Sequence, residues 1–457
     1  MKRILLLYYY AYAALSCLLE VERRGGHWAD GLKQANNKLM GRQERDPPRN
    51  FSLPVGQGDR FNGGTKAPRG LGTQPSNSTV PSILNLDEIN SALTGLSHEF
   101  GIEMVQFPTK TYENRTIVGA KAGNFSNDKV TAYIESGIHA RERGGPDHVL
   151  YFMSDLLWAQ REMTGLRYGG VSYTYADVQA VLGLAIVFFP TVNPDGLHYD
   201  LATNKCWRKN RNPASANSSD PSTIGVDLNR NFDFLWDFPR HFAPGIKAAS
   251  MNPADDSFAG TAAFSEPETQ DIRWAVEEAF PNLGWFVDIH SNAGVVLYPF
   301  GDDSNQIADP DQNWANSSWD GKRGMIPDRE SSLSYQSYMS EKDRDVFTVV
   351  AGNMASRIFD ATGSMYSAMQ IAHMYPTSGS TADYVYARSL ASGKKNPTYA
   401  FGLEFGRTNW NHTCDFYPTS QIHNNNALEV GVALMEFLLG AVKQRKAISP
   451  GGGGRVS

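Results

Sequence analysis

A chain of 457 residues is long enough for one large domain or two to three small ones, and with 41% hydrophobic and 20% charged residues it can bury an ordinary core. A formal net charge of -6 and a pI of about 6.0 leave no basic face for a nucleic-acid backbone, which argues against that class of partner.

Lys2 and Arg3 precede an apolar run over residues 4–19, with small residues Ala11, Ala13, Ala14 and Ser16 suited to cleavage. This predicts a signal peptide over 1–17 and a secreted, extracellular protein without stable membrane association. A single membrane anchor is the alternative, although the run is short for a span. Sequons at Asn50, Asn77, Asn114, Asn124, Asn217, Asn316 and Asn411 agree with export and glycosylation. Cys17 falls within the signal. Cys206 and Cys414 then form one disulfide in an oxidising compartment, or stay as two unpaired thiols.

Residues 18–82 are polar, rich in Gly, Pro, Arg and Asn, and lack apolar periodicity. They predict a disordered leader or pro-segment. The folded unit is expected over 83–442. It opens with Leu86, Ile89, Leu93 and Leu96 at helical spacing behind Asn85 as N-cap. A strand over 130–136 leads into the helix "HVLYFMSDLLWAQ". "LGLAIVFFP", "LGWFVDIH" and "PTYAFGLEF" are continuous apolar runs, as in strands buried on both faces. Pro267 opens another helix, and "NALEVGVALMEFLLGAV" is the last. Alternating strands and helices predict the α/β class, a mainly parallel sheet covered on both sides. Residues 210–224, rich in Ser, Asn and Pro, and 302–342 read as insertions, the longer one as a structureless functional rim or a disordered segment, and 443–457 as a disordered tail.

The chemistry-bearing residues follow the buried strands. "SGIHARE" carries His139 and Glu142, "VDIHSN" carries His290, and "FGLEFG" carries Glu404. Such a sheet binds its ligand outside the carboxyl ends of its strands, so these four side chains are expected at one edge. Two histidines and a glutamate make a three-ligand set for one zinc ion with an open position. Glu404 is then free to act as general base. His-x-x-Glu alone is a weak signal, and a lone strand-end histidine is more often structural; the joint arrangement carries the reading.

The ordered motifs "GIHARE", "NPDG", "CWRKNR", "GVDLNRNFD", "FSEPET", "DIHSNAGVVLYPFG", "MYPTSGSTADY" and "FGLEFG" span most of residues 84–442. They resemble the zinc carboxypeptidase family, which contains pancreatic carboxypeptidases A and B. The resemblance implies three α/β/α layers around a twisted, mixed, mostly parallel eight-stranded sheet. It implies a monomeric hydrolase that removes the C-terminal residue of peptides or proteins with one Zn2+ ion. His139, Glu142 and His290 would bind zinc, and Glu404 would deprotonate water and later protonate the leaving amine. Arg208 would stabilise the oxyanion. Asn229 and Arg230 would grip the substrate carboxylate, Tyr375 would close over the bound residue, and Arg141 would bind further along the peptide. Asp227 would orient His139. Taken singly, each has a bland alternative: a solvated basic cluster for Arg208, a packed aromatic for Tyr375, a turn for Asn229 and Arg230, a cap for Asp227.

By the same resemblance Ala382 sets the pocket for the C-terminal side chain, with Leu297, Gly301, Met374, Thr377 and Gly402 as other walls. An uncharged lining selects apolar or neutral residues, because an unpaired Lys or Arg is costly to bury. Asp302 and Asp303, next to Gly301, offer the alternative of an acid in the pocket and a basic preference.

Overall fold

Three of the predicted strands are uninterrupted apolar runs, and the computed structural model places all three in the central part of one sheet, with the strand Ala132–Ser136 between the first and the second. It describes residues 51–122, 125–325, 335–393, 396–410 and 412–448. The main sheet contains β1 (Glu103–Lys110), β2 (Thr116–Ala122), β3 (Ala132–Ser136), β4 (Ile186–Phe189), β5 (Trp285–Ser291), β6 (Val295–Tyr298), β7 (Ser367–Gln370) and β8 (Tyr399–Phe405). Their spatial order is β1-β2-β4-β3-β5-β8-β6-β7. The centre is parallel: β3 pairs with β4 and β5, and β5 with β8. The β6–β7 pair is also parallel, whereas β1–β2, β2–β4 and β8–β6 are antiparallel. Every residue of β3 and β5 is buried, while the edge strand β1 is largely exposed or half-buried. That contrast is expected for a sheet with both faces covered and open ends.

Helices α1 (Leu86–Phe100), α2 (Gly145–Glu162), α6 (Glu341–Thr362) and α8 (Ser420–Ile448) form one outer layer, packing α1 on α2, α2 on α8 and α8 on α6. Between them in sequence lie α3 (Tyr175–Leu182), α4 (Pro194–Thr203) and α5 (Pro267–Trp274). Helix α5 packs on β1, and α7 (Thr381–Ala391) packs on β5 and β8. Helix α1 starts where its sequence signal lies. Asn85 accepts from the Glu88 N–H at 2.9 Å, and Glu88 accepts from the Asn85 N–H at 3.1 Å. By length and composition the stretch Ser420–Arg445 of α8 could cross a membrane, but 78% of its apolar window is buried in the protein.

Three expectations need correction. The polar stretch before residue 83 is packed from residue 51 onward, with Leu53, Phe61, Leu71 and Val80 buried. Asp155 of α2 pins it, accepting from the Gly72 N–H at 2.8 Å and the Thr73 hydroxyl at 2.8 Å. Sparse anchors suffice where the chain lies on a finished surface, and composition averages hide them. The remaining leader, 18–50, the signal over 1–17, and Asn50, Asn124 and Asn411 lie outside the described residues. Of the 302–342 stretch, the described residues 302–325 and 335–342 are tied down rather than structureless, and 326–334 lie outside the described residues. Arg323 is fully buried and donates to Asp320 at 2.9 Å and to the carbonyls of Trp314 and Asn316. Helix α8 continues to Ile448, so 443–448 are helix; 449–457 lie outside the described residues.

Candidate metal centre and active site

His139 and Glu142 sit in the irregular loop between β3 and α2, and His290 is the penultimate residue of β5. One ligand atom from each lies within 4.8 Å of the others, and all three residues are buried. The Nδ1 atoms of the two rings stand 3.1 Å apart. Glu142 closes the set, its Oε1 lying 2.7 Å from His139 Nδ1 and its Oε2 3.1 Å from His290 Nδ1. The outer nitrogens face carboxylates: His139 Nε2 lies 3.1 Å from Asp227, and His290 Nε2 lies 2.7 Å from Asp288. Each Nε2–H thus donates outward, which aims the Nδ1 lone pair inward.

That arrangement fits a cation. Two imidazole lone pairs and a carboxylate converge where nothing but positive charge relieves their repulsion. Burial opposes charge on His290, yet Asp288 and Glu142 outweigh it and hold the ring well above its ordinary pKa. Burial likewise opposes charge on Glu142, and His139 and His290 outweigh it and hold the carboxyl well below its usual range. The donors are the two-His, one-carboxylate set of catalytic zinc.

Glu404 lies directly across from His290 in the parallel β5–β8 register. Its buried Oε2 has no hydrogen-bond partner. Burial pushes its carboxyl up to about 7, with His290 pulling the other way. Arg208 reaches the same space. Its Nε and Nη2 donate to Asp227 Oδ2 at 3.0 and 2.9 Å, and its Nη1 lies 3.8 Å from Glu142. Asp227 therefore touches both the candidate ligand His139 and Arg208. Burial raises its pKa, but Arg208 and His139 dominate and keep it ionised.

The carboxylate-grip candidates lie on one turn. Asn229 Oδ1 accepts from the Thr381 N–H at 2.8 Å, and Arg230 Nη2 donates to the Tyr375 hydroxyl at 3.3 Å. Gly379 lets the turn and the 375–381 segment close on each other: its φ is +67°, and a Cβ there would meet the Arg230 carbonyl at 2.2 Å. Ala382 lines the hollow beside them with Leu297, Ile371, Met374, Thr377 and Gly402. Asp302 and Asp303 do not line it. Both are fully buried; Asp302 accepts from Tyr335 at 3.0 Å and Ser337 at 2.5 Å, and Asp303 from the Gly324 N–H at 2.8 Å. Arg141 pairs with Asp256 at 2.7 Å, and its guanidinium covers the Phe416 ring at 4.5 Å. Cys206 and Cys414 are joined by a disulfide beside the site. A larger hollow of about 510 Å³ lies between α1 and the β1–β2 hairpin and is lined by none of these groups.

Sequence reasoning missed Asp288. Its signal was present: in "VDIH" it precedes His290 by two positions on a strand, so both side chains leave by the same face. Ile371 and Ser380, also at the hollow, carried no such signal.

The comparisons with known proteins agree with this geometry. The family profile described as zinc carboxypeptidase matches residues 96–427. Carboxypeptidase B of Astacus astacus is 31% identical over 221 residues, covering 48% of this chain and 65% of that protein. A protein of Arthroderma otae named inactive metallocarboxypeptidase ECM14 is 32% identical over 175 residues, covering 37% of this chain and 26% of that one. The chain thus spans less than two thirds of the length of these relatives. The crystal structure of thrombin activatable fibrinolysis inhibitor shares the fold, with a TM-score of 0.58 at 19% identity over 81% of this chain and 77% of that one. The chain belongs to the zinc carboxypeptidase family.

Proposed function

We propose that the chain is a secreted, monomeric, zinc-dependent carboxypeptidase that hydrolyses the C-terminal peptide bond of peptides and proteins and releases apolar or neutral residues. One observation carries the reading: Glu404, a half-buried carboxylate whose Oε2 is buried without a partner, stands in register beside a three-ligand set that fits one cation.

His139, Glu142 and His290 would hold the zinc ion, which would supply Lewis-acid chemistry toward water and a carbonyl. The chain's own groups do the rest. Glu404 takes a proton from the attacking water at Oε2 and returns it to the amine as the peptide bond breaks. Arg208, fixed by Asp227, donates to the carbonyl oxygen as negative charge develops there, which costs no reorganisation at that moment. Arg230 pairs with the terminal carboxylate through its planar fork, Asn229 assists, and Tyr375 covers the bound residue. Arg141 guides the peptide beyond the scissile bond.

The hollow at Ala382 is lined by Leu297, Ile371, Met374 and Gly402 and lacks Asp302 and Asp303, which supports an apolar or neutral preference. Asp383, beneath Gly301, is fully buried, and that burial pushes its carboxyl up to about 8, which works against a negative charge there. The disulfide and exposed sequons at Asn77, Asn114 and Asn217 support secretion as a glycoprotein.

The test is release of the C-terminal residue from N-blocked dipeptides ending in Phe, Leu, Lys or Glu, with and without a zinc chelator. Chelator-sensitive release of Phe or Leu is expected, and Glu404→Gln should keep metal while losing about 10²–10⁴-fold in turnover. A preference for Lys would overturn the pocket assignment. No release from zinc-loaded protein would overturn the activity and set the chain beside its inactive relative.

A further inference from the structure

The ligand loop and the Arg208 segment are both irregular backbone, so neither is positioned by a helix or a ladder. Both are fastened to one buried carboxylate outside the site, Asp200 of α4. Its Oδ1 accepts from the Trp207 N–H at 2.8 Å and from the Tyr417 hydroxyl at 2.6 Å. Its Oδ2 accepts from Arg143 Nε at 2.9 Å, and its backbone carbonyl accepts from Arg143 Nη2 at 2.9 Å. Arg143 directly follows the metal ligand Glu142, and Trp207 directly precedes Arg208. Tyr417 adds a third tie: its hydroxyl accepts from the Cys206 N–H at 2.8 Å, and its ring lies 3.5 Å beneath the Arg143 guanidinium. Arg143, Asp200 and Tyr417 are all buried.

We propose that Asp200 is a positioning residue for the hydrolytic reaction, holding the metal-ligand loop and the Arg208 segment at a set distance. The Ala140 N–H also donates to the Arg208 carbonyl at 3.1 Å, so a shift of one segment drags the other. The four donors on Asp200 arrive from the chain neighbours of a ligand and of the oxyanion group, and from the loop closed by Cys414. The carboxylate never touches substrate or metal. It acts because its two oxygens accept three donors at once, the Trp207 N–H, the Tyr417 hydroxyl and Arg143 Nε, while an amide offers one accepting oxygen and presents its NH2 to the rest. This inference rests on the role proposed above for Arg208.

The experiment uses full-length protein and three variants: Asp200→Asn, Tyr417→Phe as the milder lesion in case the first fails to fold, and Arg208→Ala as reference. Turnover of the N-blocked dipeptide and the visible spectrum of the cobalt-substituted protein are both recorded. Misplacement of about 1 Å costs on the order of 10²-fold, so Asp200→Asn should lower kcat by about 10–100-fold and Tyr417→Phe by about 3–10-fold, with KM within about threefold. The cobalt spectrum of Asp200→Asn should shift, because the Glu142 loop has moved. Wild-type kcat and an unchanged spectrum, with only a lower Tm, would overturn the proposal; so would a rise in KM alone. If the wild-type protein releases nothing, the exopeptidase reading fails, and the cobalt spectrum by itself decides whether Asp200 positions the ligand loop.

Discussion

Two pairs of buried histidines sit in this protein with nearly the same spacing, 4.8 Å between ring centroids for His139 and His290 and 4.7 Å for His148 and His423. Their chemistry is opposite. In the first pair every ring nitrogen faces a carboxylate or its partner ring, and the surrounding charge attracts a cation. In the second none of the four ring nitrogens has a hydrogen-bond partner. Burial pushes His148 well below its ordinary pKa, aided by His423, and pushes His423 down to about 3. Asp147 stands 3.6 Å from His423, but burial pushes its own carboxyl up to about 8 and so works against the charge that would hold a cation there. Proximity of imidazoles does not make a metal site. The ionised carboxylates behind them do, by orienting the rings and by supplying the charge a metal ion neutralises.

The largest effect should come from the first pair. His290→Ala should lose metal and turnover together, read as metal content per chain beside the dipeptide assay; a metal-bearing, active variant would break the distinction. Next, Asp288→Asn should weaken metal binding by about 10–100-fold while leaving the ligands in place, so that excess zinc restores activity. Competition against a chelator measures it, and unchanged affinity would remove the carboxylate from the explanation.

The second pair should register in stability. His148 takes up its proton at about 6.5 when unfolded and only at much lower pH when folded. The unfolded chain therefore binds more protons below that value, and stability present above it is lost as pH falls. His148→Leu should flatten this acid limb by up to about 1.4 kcal/mol per pH unit, read from denaturant titrations on either side of that pH. An unchanged slope would show that the ring is protonated in the folded state. The smallest effect is expected for His423→Leu at neutral pH, within about 1 kcal/mol, because no hydrogen bond is lost. A loss of several kcal/mol would reveal a polar role for that ring.

Much of the candidate site was legible because its residues follow the apolar runs that make the central strands. Placing His139, Glu142, His290 and Glu404 at one edge needed only the α/β rule for strand ends. The leader was misjudged because Leu53, Phe61, Leu71 and Val80 are too sparse to show periodicity, yet each finds a surface to cover. The insertion was misjudged for a related reason. Arg323 reads as a surface cation until Asp320 and two carbonyls are seen to enclose it.

The sequence by itself determined the α/β class, the helix start at Asn85, the metal-competent residue types and their order along the chain, because these rest on local periodicity and capping. Tertiary structure alone decided the rest. It set Glu404 opposite His290, since strand register between segments more than a hundred residues apart has no local signature. It joined Cys206 to Cys414 across a separation of 208 residues. It carried Asp302 and Asp303 away from the pocket, and it gathered the neighbours of Glu142 and Arg208 on Asp200. Each depends on which distant groups end up enclosed together, and burial decides whether their charges are kept, paired or neutralised.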